Sequence, residues 1–189
     1  MKLKEYAREK NVPIIMDQGL QLLLDTIKDN NCKSILELGT AIGYSAINIA
    51  KVNKDIVIDT IEKKEELYIQ AQDNVLNEGL TSRINLYNCN INDFVTNKIY
   101  DFIFVDAAKG HYNDYLEQFY DNLCQNGILF FDNMEFHGFV KNPMLSNNRN
   151  TRQLVKKIIK FYDKIILDTR FESKYFSDVG DGILILRKR

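Results

Sequence analysis

Along this chain, short runs of apolar residues alternate with segments in which apolar residues recur every three or four positions. Runs of four to eight apolar residues are typical of buried strands, and the longer repeat is typical of helices that pack on one face. The segment 63–77 shows the helical repeat, with Leu67, Ala71 and Val75 at four-residue steps. The pattern predicts strands at 34–38, 56–61, 83–88, 101–105, 127–131, 164–169 and 182–187, and helices at 1–10, 16–28, 43–52, 63–77, 112–123 and 151–162.

The regular alternation of strands and helices predicts an α/β fold. We expect a Rossmann-like, doubly wound sheet of seven mostly parallel strands, with helices on both faces. The last two predicted strands are joined by a link without a helical pattern, so we expect the last strand to be antiparallel. Two helices within residues 1–30 precede the first strand, and a basic helix occupies 149–162, all within one domain that spans 1–189.

The composition is that of an ordinary globular domain, and 9 glycines and 2 prolines leave no linker that would divide it. Lys and Arg (25) balance Asp and Glu (26), which excludes a globally basic nucleic-acid-binding protein but not a local basic patch. The three cysteines, Cys32, Cys89 and Cys124, lack metal-ligand spacing. Because no apolar segment is long enough for export or a membrane span, we expect a cytoplasmic protein without membrane contacts.

The segment 35–45 is predicted to form a strand, a glycine turn and the start of a helix. Ligands bind at the carboxyl ends of strands in such folds, and Gly39 allows close approach of the backbone. Ala41 stands where a dinucleotide fingerprint has its middle glycine, and Glu37 would repel an anion. S-adenosylmethionine, which carries a sulfonium and an ammonium group, therefore suits this loop better than NAD. The alternative is a tight turn that binds nothing.

Glu62 ends the second predicted strand, 23 residues after Gly39. A carboxylate at this point can accept hydrogen bonds from both ribose hydroxyls of an adenosine cofactor. NAD enzymes use the same arrangement, so Glu62 predicts an adenosine cofactor without separating the two candidates.

Polar residues also follow the fourth and fifth predicted strands, at Asp106, Asp132 and Asn133. If these strands are parallel neighbours, their carboxyl ends bring two carboxylates and an amide oxygen together, a set that suits Mg²⁺ or Ca²⁺ rather than zinc. Lys109 lies at the mouth of the same site, where a partly desolvated lysine can act as a base. Solvated acids and a solvated lysine are the alternative. His111 and His137 have no partner at ligand spacing, so we interpret both as surface or loop groups.

These segments together resemble the metal-dependent class I O-methyltransferases, the group that includes the catechol and caffeoyl-CoA O-methyltransferases. The resemblance implies that Asp106, Asp132 and Asn133 hold Mg²⁺ or Mn²⁺, and that Asp106 and Lys109 are catalytic. It implies that S-adenosylmethionine is the cofactor. The residues that it assigns to cofactor binding are Ile15, Glu37, Gly39, Ser45, Glu62, Asn90, Ile91 and Asp106.

Within this family, residues 6–14, 37–45, 106–110 and 179–182 resemble the bacterial branch that methylates 5-hydroxyuridine in tRNA. This implies methylation of the 5-hydroxyl at the wobble position to give 5-methoxyuridine; a small catechol-like or phenolic acceptor is the alternative. Where the family has Gly-Asp-Ala, this chain has Cys89-Asn90-Ile91, and we expect the Asn90 oxygen to accept from the adenine amino group. Relatives carry about one more helix before Tyr6 that often contributes to a dimer, so the resemblance leaves a homodimer open.

The basic helix carries Arg149, Arg152, Lys156 and Lys160 at steps of three and four, which places them on one face. Such a stripe can follow tRNA phosphates, although a solvated helix face has the same pattern. Aromatic residues in the loop 136–150 are candidates for stacking on the target base. Two further classes stay open, a non-catalytic module that binds an adenosine cofactor and an NAD oxidoreductase.

Overall fold

The computed structural model describes residues 3–142, 144 and 146–189. Residues 1 and 2 of the predicted helix 1–10, and residues 143 and 145 of the predicted loop, lie outside this description. The helices are α1 (Leu3–Glu9), α2 (Asp17–Asp29), α3 (Tyr44–Val52), α4 (Glu65–Asn77), α5 (Tyr112–Phe119) and α6 (Arg149–Ile165). The strands are β1 (Ser34–Leu38), β2 (Val57–Glu62), β3 (Ile84–Asn88), β4 (Tyr100–Val105), β5 (Leu123–Phe131), β6 (Phe171–Phe176) and β7 (Ile183–Lys188).

The seven strands form one sheet in the order β3-β2-β1-β4-β5-β7-β6. Neighbouring strands from β3 to β5 are parallel, and β7 runs antiparallel to both β5 and β6. This confirms the predicted α/β fold with an antiparallel last strand. The sheet reverses its winding between β1 and β4, which is the point where ligands bind in open α/β sheets.

The core consists of two apolar clusters, one on each face of the sheet. Because side chains of a strand alternate between faces, Phe102 and Phe104 of β4 join one cluster while Ile103 and Val105 join the other. Apolar residues of α2, α3 and α4 complete the first cluster, and those of α5 and α6 complete the second. The central strands are thus buried on both faces, as expected for a parallel sheet.

The predicted strand 164–169 is wrong. Helix α6 continues to Ile165, because Ile158, Phe161 and Ile165 form one buried helical stripe. The strand β6 follows at Phe171–Phe176, on the edge of the sheet, where its exposed polar residues conceal it from a search for apolar runs.

The boundary between α5 and β5 also differs from the predicted helix 112–123 and strand 127–131. Helix α5 ends at Phe119, and β5 begins at Leu123. The register of β4 against β5 shifts after the Tyr100–Leu123 pair, where Asn126 has a φ of +63°. This irregularity lies among polar residues and interrupts the apolar run of β5. The sequence pattern therefore predicted only the second part of this strand, at 127–131. Among the described residues, no helix is long and apolar enough to cross a membrane.

Candidate active site

A cavity of about 500 Å³ opens at the edge of the sheet where the parallel strands end. The register pairs Leu38 with Ile61 and Val105, and Val105 with Phe131, so the residues after these strands meet at one edge. Predicted site residues that line the cavity are Gly39, Glu62, Asn90, Ile91, Asp106, Lys109, Asp132 and Asn133. The topology thus brings together predicted site residues that are up to 94 positions apart, from Gly39 to Asn133.

Gly39 lies where β1 meets β4 at this edge. Its φ is +106°, and a Cβ there would lie 2.3 Å from the carbonyl oxygen of Asp106. Only glycine fits both constraints. The absence of a side chain therefore keeps the two central strand ends in contact and leaves their backbone exposed to the cavity.

Glu37 lies below the cavity rather than in its lining. It is fully buried and accepts hydrogen bonds from the hydroxyls of Ser45 and Thr60, the latter at 2.5 Å. Burial raises the pKa of Glu37 to about 7, although the two hydroxyls favour the ionised form. Glu37 and Ser45 therefore fix the turn between β1 and α3 from beneath, and direct contact of either with a cofactor stays a prediction.

Glu62 presents its carboxylate to the cavity in a fixed orientation. One oxygen accepts from the backbone N–H of Ala41 at 2.9 Å, and the other accepts from that of Lys64 at 2.8 Å. The loops after β1 and β2 therefore hold the carboxylate, while each oxygen keeps a lone pair for a ligand hydroxyl.

The remaining predicted cofactor residues are placed differently from one another. Asn90 and Ile91 line the cavity, and the Asn90 side-chain oxygen caps a short 3₁₀ turn by accepting from Asn92 N–H at 3.1 Å. Ile15 is buried beside Gly19, outside the cavity lining. Its neighbours Pro13, Ile14 and Met16 line the cavity instead.

Asp106 and Lys109 form an ion pair at the wall of the cavity. Lys109 Nζ donates to Asp106 Oδ1 at 3.0 Å, and each side chain is about one-fifth exposed. Withdrawal from water raises the pKa of Asp106, and the Lys109 ammonium opposes this shift. The pair places a cationic group beside a carboxylate whose ionised form is disfavoured by withdrawal from water.

Asp132 and Asn133 complete the predicted cluster. Burial raises the pKa of Asp132, and the nearby negative charge of Asp106 raises it further. Its Oδ1 accepts from the backbone N–H of Asn133 at 2.8 Å. Asn133 has a φ of +59°, a conformation that asparagine tolerates better than most residues. Two carboxylates that repel each other at one cavity wall have the chemistry of a cation site.

Asp181 belongs to this wall and was not predicted as a site residue. It is nine-tenths buried and lines the cavity at the start of β7. Because β7 is antiparallel to β5, its start lies at the edge where the parallel strands end. The predicted antiparallel last strand was the signal that could have placed Asp181 at the site.

Both histidines are exposed groups, as interpreted from the sequence, and both also line the same cavity. His111 Nδ1 lies 2.9 Å from Asp114 Oδ2, and its ring lies 6.0 Å from that of Tyr115. His137 Nδ1 lies 3.7 Å from Asp181 Oδ2. Both side chains are largely exposed, so they border the mouth of the cavity.

Helix α6 packs beside the turn that carries Lys109. A Cβ at Gly110 would lie 3.3 Å from Leu154 Cδ1 and 3.6 Å from Lys157 Nζ. The predicted stripe of Arg149, Arg152, Lys156 and Lys160 lies outside the cavity lining, on the helix face opposite the buried stripe. Arg152 is partly buried and donates to the Ser146 carbonyl at 2.8 Å, so it anchors the preceding loop. Lys157, which was not predicted, is a basic residue next to the turn of Lys109.

Solved structures share this fold. A candidate caffeoyl-CoA O-methyltransferase from Staphylococcus aureus is 33% identical, with a TM-score of 0.91 over 99% of this chain and 90% of that one. An O-methyltransferase from Bacillus cereus, solved in complex with SAH, is 23% identical, with a TM-score of 0.83 over 98% of this chain and 88% of that one. The fold is therefore that of the class I, S-adenosylmethionine-dependent methyltransferases.

A family model described as O-methyltransferase matches residues 2–189, and the chain belongs to this family. A caffeoyl-CoA O-methyltransferase from Populus kitakamiensis is 27% identical over 194 residues, which cover 98% of this chain and 82% of that protein. A flavonoid 3',5'-methyltransferase from Vitis vinifera is 28% identical over 197 residues, which cover 97% and 81%.

Proposed function

We propose that this chain transfers the methyl group of S-adenosylmethionine to the 5-hydroxyl of 5-hydroxyuridine at the wobble position of tRNA, giving 5-methoxyuridine. The observation that carries the choice of acceptor is the position of α6. This basic helix packs directly beside the turn of Lys109, at the end of the cavity that holds the catalytic cluster, and it carries its basic stripe on the face opposite its buried residues. A polyanionic acceptor fits that distribution of charge.

The cofactor half of the site consists of Gly39, Glu62, Asn90 and Ile91. The Glu62 carboxylate, held by two backbone N–H groups, is oriented to accept from both ribose hydroxyls. Asn90 keeps an amide oxygen lone pair for the adenine amino group, since its cap bond uses only one. The negative charge of Glu62, together with that of Glu37 when it is ionised, favours a cationic donor over a dinucleotide.

The donor set of Asp106, Asp132 and Asn133 fits a hard divalent cation, Mg²⁺ or Mn²⁺, because it offers two carboxylates and an amide oxygen. Withdrawal from water raises the pKa of both acids, and the negative charge of Asp106 raises the pKa of Asp132 further, so a bound cation would favour their ionised forms. When bound, the cation supplies charge that favours the ionised form of an acceptor hydroxyl next to a carbonyl oxygen.

Lys109 is the residue that we assign to proton transfer. Its Nζ lies at the cavity wall, 3.0 Å from Asp106, where the acceptor hydroxyl would approach. For Nζ to act as the base, the Lys109 ammonium must first release a proton to solvent. Nζ then takes the hydroxyl proton as the S–CH₃ bond breaks and the O–CH₃ bond forms, and the sulfonium becomes a neutral thioether. Holding donor and acceptor in line supplies much of the rate.

A small catechol-like or phenolic acceptor is the second candidate, and the names of the plant relatives favour it. The same cavity wall would serve, because a catechol also offers two adjacent oxygens. The thioester caffeoyl-CoA would in addition present phosphates to α6.

The deciding experiment measures methyl transfer from labelled S-adenosylmethionine, with Mg²⁺ or with chelator. The acceptors are tRNA that carries 5-hydroxyuridine, the same tRNA with uridine, a simple catechol, and caffeoyl-CoA. We expect metal-dependent transfer to the hydroxylated tRNA alone. Transfer only to catechol or caffeoyl-CoA would refute the tRNA acceptor, and full activity with chelator would refute the role of the cation.

A charge-reversal pair tests the contribution of α6. Arg149→Glu combined with Lys156→Glu should raise the KM for tRNA about tenfold or more at physiological salt, because each phosphate contact adds to binding. Lys28→Glu combined with Lys54→Glu makes the same charge change close to the starts of β1 and β2, away from the strand ends that form the cavity. This control pair should leave the KM within about twofold. Equal effects of the two pairs would mean that only net charge matters.

A further inference from the structure

Residues 106–109 and 132–133 form one wall of the cavity, which we call the acceptor wall. The turn Gly180-Asp181-Gly182 contacts this wall through one buried side chain. Asp181 is nine-tenths buried, and its two oxygens accept from different partners. Oδ1 accepts from the backbone N–H of His137 at 2.6 Å, and Oδ2 accepts from the side-chain Nδ2 of Asn133 at 3.3 Å. One carboxylate therefore joins the two ends of the segment 133–137.

Backbone bonds hold the same segment to this turn independently of the Asp181 side chain. The N–H of Glu135 donates to the Asp181 carbonyl at 2.8 Å, and that of Met134 donates to the Gly182 carbonyl at 2.9 Å. Gly182 has a φ of +80°, and a Cβ there would lie 2.7 Å from Glu135 N. A change of the Asp181 side chain should therefore leave the path of the chain intact.

The segment itself is in an unfavourable conformation. Asn133, Phe136 and His137 all have a positive φ, between +45° and +59°. Such conformations persist where surrounding contacts outweigh their cost, and they cluster at functional sites. The two bonds of Asp181 lie at Asn133 and His137, the first and the last of these residues.

A carboxylate can only accept hydrogen bonds, which decides how the Asn133 amide is turned. Its nitrogen must face Asp181, so its oxygen is left for the cavity. We infer that Asp181 is a positioning residue, which turns the Asn133 amide oxygen toward the cation site and holds His137 at the mouth of the cavity. This inference rests on the cation of the proposed function.

The test is the binding of Mn²⁺ itself, followed by the electron paramagnetic resonance signal of the free ion in the presence of SAH. Asp181→Asn replaces an obligate acceptor by an amide, which can donate to the Asn133 oxygen and remove it from the cation site. We expect Mn²⁺ affinity to fall about tenfold, the range found when a partner that orients a metal ligand is lost. Affinity for SAH should change less than twofold.

Loss of a negative charge would also weaken cation binding, so the comparison is repeated with Asn133→Asp. A carboxylate has two equivalent oxygens and needs no orienting partner. In that background Asp181→Asn should leave Mn²⁺ affinity unchanged or improve it, since it also removes a repulsion between two carboxylates. Non-additivity of the two changes is the signature of positioning.

Two results would contradict the positioning role of Asp181, and each has a different meaning. The same loss of affinity in both backgrounds would overturn the inference, because Asp181 would then act through its charge alone. A wild-type protein that does not bind Mn²⁺ would overturn the cation of the proposed function together with this inference. If Asp181→Asn proves unstable, Asp181→Ser provides the comparison. The serine side chain is too short for its hydroxyl to reach Asn133, so this variant should show the same loss of Mn²⁺ affinity.

Discussion

Single carboxylates organise this site, and each is compensated in a different way. Glu62 is held by two backbone N–H groups, Glu37 by two hydroxyls, and Asp106 by the Lys109 ammonium. Glu37 is fully buried and has only two neutral hydroxyls as partners, so burial raises its pKa to about 7. Its protonation state therefore depends on pH near neutrality.

Replacement of Glu37 by glutamine should flatten the dependence of stability on pH. The pKa of about 7 in the folded protein lies above the usual 4.5, so the native state keeps a proton that the unfolded chain releases. Stability from this group is complete below about pH 4.5 and is lost as the pH rises through 7. Between these limits the wild type should lose up to roughly 3 kcal/mol more than Glu37→Gln. Urea titrations across this range measure it.

The exposed Glu66, in the first turn of α4, gives the matched control. Glu66→Gln makes the same chemical change at the surface and should leave the pH profile as it is in the wild type. If Glu37→Gln kept the wild-type profile too, Glu37 would be ionised in the folded protein throughout the range.

The sequence allowed prediction of those acids that directly follow strands, because parallel topology alone brings Asp106 and Asp132 to one edge. Asp181 was missed although the predicted antiparallel last strand could have placed it at this edge. The approach of His137 depends on the fold of a loop, which no periodic pattern encodes. The burial of Glu37 was also beyond the sequence, since a glutamate before a glycine turn can face either the ligand or the core.

At the scale of elements, α5 and β5 are tied together at the acceptor wall. Tyr112, the first residue of α5, is buried, and its hydroxyl donates to the Asp132 carbonyl at 2.5 Å. Its ring packs edge-on against Phe131 and Phe161, with centroids 5.3 and 5.7 Å apart. The start of one helix thus supports the end of one strand at a predicted cation ligand.

Tyr112→Phe should destabilise the protein while preserving this packing. The ring contacts remain, but the Asp132 carbonyl loses a buried donor, at a cost of about 1–3 kcal/mol. Tyr68→Phe is the control, because it removes a hydroxyl that accepts an exposed bond from Gln72, and it should cost less than about 0.5 kcal/mol. Denaturant unfolding compares the two. Equal costs would show that the Tyr112 bond contributes nothing specific.

The wrong prediction of a strand at 164–169 has a physical cause. Ile165, Ile166 and Leu167 form an apolar run that resembles a strand, yet only Ile165 is buried, as the last member of the helical stripe of α6. Period and run length conflicted there, and the longer helical period prevailed because it continues a face already packed on the sheet.

At the scale of the whole molecule, the cavity has two ends that different parts of the chain supply. Residues that we assign to the cofactor lie no further along than Ile91, apart from Asp106, and the residues of the acceptor wall begin at Asp106. Binding at the cofactor end should therefore survive damage at the acceptor end.

SAH at 100 times its Kd should stabilise the wild type by about 2.7 kcal/mol. Lys109→Ala should keep this increment, because Lys109 lies at the acceptor end. Glu62→Gln, which loses the charge that faces the ribose, should bind about tenfold more weakly and gain only about 1.4 kcal/mol at the same concentration. Thermal unfolding with and without SAH gives both values, and equal losses in the two variants would show that the ends are not separable.

The order of the strands in the sheet follows the same division between the cofactor end and the acceptor end of the cavity. Every strand on one side of the boundary between β1 and β4 ends before residue 100, and every strand on the other side begins at residue 100 or later. The two sides are thus contiguous stretches of the gene as well as of the sheet. A lineage can alter or exchange the later stretch and acquire a new acceptor, while the earlier stretch is inherited unchanged and continues to accept the same methyl donor.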